Sequence, residues 1–404
     1  MPQPDRLAGH AGVTGLADQT GTDRDAPHVP GILTASQLVT TGRAIAKVQH
    51  ADGSIGWPDG HVDAWNHVEC AMALSVCGLR HEARRAYAWL ASAQQGDGSW
   101  PVRPSDGGVE EWAAESNHAA YCAVGVWHEL LVTGDEDFAV QMWPVVRAAI
   151  EFAIGLQTAR GEIIWRRHED GSPDGYALLT GCASMYHSLR CAIALGEAVG
   201  DPQPDWELAA ALLGHAVACH AEAFADKSRF SMDWYYPVLG GSVRGAAAER
   251  MIKGGWDTFV VPGVGVRCVS DEPWVTAAET CELAIALDAI GQRDQALELF
   301  AQIQFLRAAE GSYWTGWQFQ SERHYPNEQS SYTAAAVVLA ADVLGDGQPS
   351  PAAAVFRDAA AGPDVSQPVN PAACGCPALP DAEAVASPLE DPQRAGHADL
   401  FEGA

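Results

Sequence analysis

The chain has 404 residues, 48% hydrophobic and 19% charged, with 24 Lys and Arg against 52 Asp and Glu and a net charge of −28. So acidic a balance lacks the cationic surface that displaces counterions from nucleic acid or docks on anionic lipid. No charge-free apolar run of about 18 residues spans a bilayer, and no basic head precedes an apolar stretch near residue 1, so a cytoplasmic location is expected.

Residues 1–30 read as a disordered N-terminal segment. Helical periodicity then predicts helices at 34–49, 62–78, 81–95, 112–133, 137–157, 177–199, 205–225, 243–252, 272–290, 293–307 and 328–344, with a short one near 233–241. Gly and Asp in "VTGDED" and "AIGQRD" act as stops. No run of alternating strand pattern appears. Residues 346–404 form a Pro- and Ala-rich tail with little to bury, read as disordered. Of ten cysteines, most lie in apolar helical segments as small hydrophobes, which suits a reducing compartment. Cys374 and Cys376 in the tail read as a mobile thiol pair.

Two kinds of helix alternate. "ECAMALSVCGL", "CASMYHSLRCAIALGEAVG" and "YTAAAVVLAADVL" are apolar nearly all round, as buried helices are. "EARRAYAWLASAQ" and "DQALELFAQIQFLR" keep one wet face. The expected fold is all-α: an (α/α)6 toroid of about six hairpins over 31–345, an inner ring enclosed by an outer one.

A short unit recurs after the outer helices. Gln49, Gln94, Gln157 and Gln304 are followed by Gly53, Gly98, Gly161 and Gly311, then by Trp57, Trp100, Trp165 and Trp314. The glycine can stop a helix at positive φ, the indole can fold back, and the amide can satisfy backbone groups left open at the terminus. These units read as staples between successive hairpins.

"QHADGSIGW" and "QQGDGSW" resemble the QW-type repeats of terpenoid cyclases and protein prenyltransferase β subunits, which share the α/α-toroid fold. The chain is similar to actinobacterial prenyltransferase or squalene cyclase-like proteins. A second resemblance, carried by "WPVVRAAIEFAIGLQTARGEIIW" and "HYPNEQSSYTAAAVVLAADVL", is to six-hairpin glycosidases of the glucoamylase kind. Both resemblances imply an active site where the inner helices begin.

The segments entering the inner helices hold the informative residues: Asp63, Trp65, Asn66 and Glu69; Glu111, Trp112, Glu115, Asn117, His118 and Tyr121; Asp174, Tyr176, Tyr186 and His187; Asp233, Trp234, Tyr235 and Tyr236; Asp271, Glu272, Trp274 and Glu279; His324, Tyr325, Asn327, Glu328 and Tyr332. Carboxylates at helix starts serve as caps, yet six linkers of aromatic and acidic residues converging on one mouth would form a ligand pocket. Aromatic rings suit either sugars or prenyl carbocations. No Asp-x-Asp-Asp motif of protonation-initiated cyclases and no DDxxD is present. Prenyl transfer needs cations for diphosphate, which Arg244, Arg250, Lys253 and Arg267 could supply, with Trp65, Trp234, Tyr235 and Trp274 lining a tunnel. Glycoside hydrolysis needs two carboxyl groups. "DGYALLTG" and "GSYWTGWQF" offer no Glu, which leaves Glu115 with Asp271 or Glu279. Asp233 is a fourth candidate acid; Glu69, Asn117, Tyr325 and Glu328 complete the expected substrate lining. No cofactor is expected. Cys268, Asp271 and His324 loosely resemble, in altered order, the zinc ligands of protein prenyltransferases.

The leading expectation is a prenyltransferase-like or terpenoid cyclase-like transferase acting on an isoprenoid. The alternatives are a carbohydrate-active toroid acting on a glycan and a non-catalytic scaffold.

Overall fold

The computed structural model describes residues 26–101, 113–346 and 350–359. The helices are α1 (Ala35–Val48), α2 (Ala64–Val76), α3 (Arg80–Ala93), α4 (Ser116–Ala120), α5 (Cys122–Thr133), α6 (Glu136–Ile154), α7 (Leu179–Val199), α8 (Pro204–Cys219), α9 (Ser231–Leu239), α10 (Gly245–Phe259), α11 (Ala277–Ala289), α12 (Arg293–Gln302), α13 (Ser331–Leu344) and α14 (Pro351–Ala354). The chain adopts the expected α/α toroid. Helices α2, α4–α5, α7, α9, α11 and α13 form the inner ring, each packed on the next, and α13 returns to α2. Every residue of α2 and of α13 is buried. Outer helices α1, α3, α6, α8, α10 and α12 present one apolar stripe inward.

Local chemistry sets the ends. Thr34 and Gln37 form a capping box on α1, Asp63 caps α2, Asp135 caps α6 and Ser330 caps α13. Gly134 and Gly200 end α5 and α7 in the left-handed region. Helix α10 runs beyond the expected stop at 252. Gly255 is there for closeness rather than termination: a Cβ on it would lie 2.5 Å from the Trp234 indole nitrogen.

The recurrent Gln–Gly unit ties each outer helix to the next one around the ring. Gln94 Nε2 donates to Gly98 O in its own turn (3.1 Å) and to Val145 O on α6 (2.9 Å). Gln49 reaches Glu82 O on α3, and Gln157 reaches Ala209 O on α8, both at 3.0 Å. The glycine of each turn abuts the neighbouring helix; a Cβ at Gly98 would sit 2.1 Å from Ala148 O. The last unit closes the circle, with Gly311 against Thr40 of α1 and Arg307 donating to Gln37 O at 3.2 Å.

Short strands lie where chain enters the inner helices, which the sequence pattern does not show. Strands β1 (Ala113–Glu115) and β2 (Arg166–His168) pair antiparallel. Strands β3 (Val260–Val261), β4 (Gly265–Arg267), β5 (Trp274–Thr276), β6 (Gly316–Gln318) and β7 (Arg323–His324) form a five-stranded antiparallel sheet in chain order. At two or three residues each, they are too short to display alternation. Folded structure continues past the boundary expected at 345: α14 packs on α13 and runs into a π-helical turn, Val355–Ala359. The N-terminal residues 1–25, the tail from 360 with Cys374 and Cys376, and Glu111 and Trp112 lie outside the described residues.

Candidate active site

The beginnings of the inner helices gather the buried acids. Asp63 caps α2: Oδ1 accepts from the Asn66 N–H (2.7 Å) and Oδ2 from Trp57 Nε1 (2.5 Å). Trp57 is half-buried, stacks on His61 with centroids 5.6 Å apart at 15°, and stands 5.6 Å from the Tyr332 ring. Asp63 thus sits at a helix N-terminus and accepts from two N–H donors, one of them the Trp57 indole.

Glu115 ends β1 and meets His118 Nε2 at 3.2 Å. Burial raises its carboxyl above the usual glutamate range, while His118 acts the other way. Glu279 lies in the first turn of α11, delivered by β5. Burial raises it too, opposed by neighbouring Thr276 and Cys268. A buried carboxyl with a raised pKa is suited to donating a proton at neutral pH.

Below this rim the axis of the ring holds a second layer of polar groups. Glu69 accepts from Trp65 Nε1 (3.1 Å) and the Tyr121 hydroxyl (2.9 Å). Glu282 accepts from the hydroxyls of Tyr236 (2.9 Å), Tyr332 (2.8 Å) and Tyr235. Both carboxyls are raised well above the usual range, first by burial; their mutual repulsion adds to the shift of Glu282. They line a pocket with Tyr121, Ser184, His187 and Phe356. The side-chain amide of Asn117, Nδ2 of Asn66 and the hydroxyls of Ser184 and Ser231 are buried with no hydrogen-bond partner among the described residues. Such groups are costly unless something pairs with them.

The other sequence candidates are dispersed. Asp271 is exposed and ion-paired with Arg229 at 2.9 Å, which lowers its carboxyl. Asp233 accepts from the Thr180 N–H (3.2 Å) and hydroxyl (2.6 Å), tying α9 to α7. Trp234 donates to Met251 O at 2.8 Å and stacks on Phe259, an inner-to-outer helix contact. Trp274 packs edge-on to Tyr325 at 5.1 Å, and Glu328 accepts from the Thr315 hydroxyl at 3.4 Å. Arg250 and Lys253 are exposed on outer helix α10; Arg244 donates to Gly241 O, and Arg267 lies over the Phe319 ring. These four cations do not form the expected diphosphate clamp, because three belong to the outer helix and its cap and the fourth to β4. His324 stacks face to face on Trp314 at 4.2 Å. Among the described residues no group of three or more His, Cys, Asp or Glu side chains is placed to hold a metal ion, so Cys268, Asp271 and His324 do not assemble into a zinc site.

Glu282 is absent from the expected residues, Trp57 is expected only as a staple, and Asp63 is named among the residues entering α2 but given no catalytic role. Trp57 belongs to a staple, and Asp63 has the position of an ordinary cap. Glu282 follows Glu279 by one helical turn, a spacing that places both on one face of α11; that was the available signal.

No protein-family model matches the chain. It is 52% identical over 337 residues to a protein of Mycolicibacterium hassiacum named MMP endo-(1,4)-3-O-methyl-alpha-D-mannosidase, covering 83% of this chain and 93% of that one. The chain belongs to this mannosidase family. Its fold also matches a glycosidase solved in complex with glucose (13% identity, TM-score 0.59, 76% of this chain and 97% of that one). A D-mannose isomerase matches similarly (12% identity, TM-score 0.59, 76% and 96%). At those identities the likeness is one of fold. Membership of the mannosidase family supports the six-hairpin glycosidase resemblance and overturns the leading expectation of an isoprenoid-handling, prenyltransferase-like or cyclase-like transferase. The repeats that suggested it tie neighbouring outer helices together. No helix among the described residues is long and apolar enough to cross a membrane.

Proposed function

We propose that the chain is a glycoside hydrolase that cleaves internal α-(1,4) bonds in a glycan of 3-O-methylmannose. The observation that carries this is the 52% identity to the endo-mannosidase over most of both chains. The chemistry of the mouth agrees with it. Glu279 is the general acid: buried and raised, it holds a proton to give to the glycosidic oxygen as the C1–O bond breaks. Asp63, held by N–H donors, is the carboxylate serving the opposite face of the sugar, where water arrives at C1. Glu115 with His118 orients hydroxyls. The unpartnered Asn117 and Asn66 amide groups match a ligand rich in hydroxyls. All eight described cysteines are free thiols, which supports a reducing, cytoplasmic location.

The test is to incubate the full chain with (1,4)-linked 3-O-methyl-α-mannose oligosaccharides and read product lengths by mass spectrometry. Internal fragments of several lengths are expected. An untouched substrate, or single sugars released stepwise from one end, would refute the reading.

A further inference from the structure

The inner ring of a toroid has two ends, and a cavity along its axis is one-ended only if something closes the far side. In this chain the stopper comes from beyond the last hairpin. Asp342 near the end of α13 accepts from the Ser350 hydroxyl (2.6 Å) and the Ala352 N–H (3.1 Å), which turns the chain back across the ring. Arg357 pairs with Asp288 at the end of α11, and Asp288 also holds Arg293 at 2.8 Å. Between these anchors, Val355 O meets His187 Nε2 at 3.1 Å, and the Phe356 ring lies 5.0 Å from the His187 ring. Burial pushes His187 down to about 4. It is therefore neutral at physiological pH, and its Nε2–H donates to the carbonyl. Val355 is fully buried and Phe356 is 6% exposed.

Phe356 lines the same pocket as Glu69, Tyr121, Tyr236 and Glu282. Glu69 in turn accepts from Trp65 Nε1, and the Trp65 ring packs on Tyr121 (5.4 Å), His118 (6.0 Å) and Tyr236 (5.9 Å). His118 is the partner of Glu115 at the rim. Phe356 thus walls the cavity that Glu69 and Glu282 face, and from Glu69 hydrogen-bonded and packed groups run on through Trp65 and His118 to the mouth.

We infer that residues 350–359 form a rear plug of the catalytic unit, and that Phe356 is a positioning residue that holds the Glu69–Glu282 layer and, through Trp65, the geometry of the mouth. The physical reason is exclusion of water. Removing the ring would let water reach two carboxyls now satisfied by tyrosine hydroxyls, and the competing hydration would loosen that layer.

The inference rests on the hydrolase reading only for its kinetic arm; a second arm is independent of substrate. In the full chain, Phe356→Ala should leave circular dichroism and a cooperative melt in place. It should lower kcat on the mannose oligosaccharide by roughly tenfold, the effect of about 1.4 kcal/mol on a barrier, with KM changed less than about twofold by the same criterion. Phe356→Leu should restore most of kcat by refilling the space. Hydrogen exchange supplies the independent arm: backbone amides of α14 and of the turn of α7 around His187 should be protected in the native chain and open in Phe356→Ala. A folded Phe356→Ala chain with native kcat and native exchange overturns the proposal. So does a Leu variant as impaired as the Ala variant. If the native chain cleaves no glycan but the exchange difference is found, the plug stands and the hydrolase reading falls.

Discussion

Asp63 and Glu279 are both buried carboxyls at the start of an inner helix, held by different partners. Asp63 receives two N–H donors; Glu279 is raised by burial. An acid catalyst works only while protonated, so kcat/KM should fall on the basic side at a pH above the ordinary glutamate value of about 4.3. Glu279→Gln should abolish that limb together with most of the activity, which a pH–rate profile measures directly. The deeper acids affect stability instead. Glu69 and Glu282 bind protons more tightly folded than unfolded. The native state therefore carries more protons, and stability falls as pH rises from the ordinary glutamate range through the raised folded values. Glu282→Gln should flatten the loss of melting temperature between pH 5 and pH 8; an unchanged slope would remove Glu282 as its source.

Among the elements, the outer-ring staples are the best-tested link between sequence and form. Gly98 has φ of +94°, and its added Cβ would meet Ala148 O at 2.1 Å. Gly98→Ala should cost about 1–3 kcal/mol from overpacking and roughly 1–2 kcal/mol from left-handed backbone. Gly31→Ala is the control: φ is +75° but no atom lies within 4 Å, so only the backbone cost of about 1–2 kcal/mol applies. Thermal or urea melts separate the two, and equal losses would refute the stapling account. The Gln–Gly–Trp units and the alternation of buried and wet helices were legible because they repeat with a fixed chemical reason. The entry strands were not, since two or three residues carry no period. The length of α10 was misjudged for a related reason: Gly254 and Gly255 resemble a stop, and only the Trp234 indole packed against Gly255 explains why the helix continues.

For the whole molecule, the ring places six entry segments at one end, and that placement was legible as a wager on closure. Which acids turn inward was not. Asp271 and Glu279 lie eight residues apart in one linker, yet one is exposed beside Arg229 and the other is 3% exposed. The partner that holds Asp271 outside, Arg229, lies 42 residues away in the chain. The leading resemblance, to terpenoid cyclases and prenyltransferases, fails for the same reason, while the second, to six-hairpin glycosidases, is supported: repeats report how a ring is built, whereas substrate is set by the few groups that face its hollow. The segment at 350–359 was hidden by composition, because a few apolar residues in a Pro- and Ala-rich tail suffice when a hole of matching size awaits them.

The central claim is that carboxyls at the mouth of the inner ring hydrolyse the glycan. Its most direct test is the initial rate of oligosaccharide cleavage by Asp63→Asn, Glu279→Gln and Asp271→Asn, each shown to be folded. Losses of roughly 100- to 10,000-fold are predicted for the first two, with Asp271→Asn close to the native rate. Native rates in Asp63→Asn and Glu279→Gln, or an equal loss in Asp271→Asn, would contradict it.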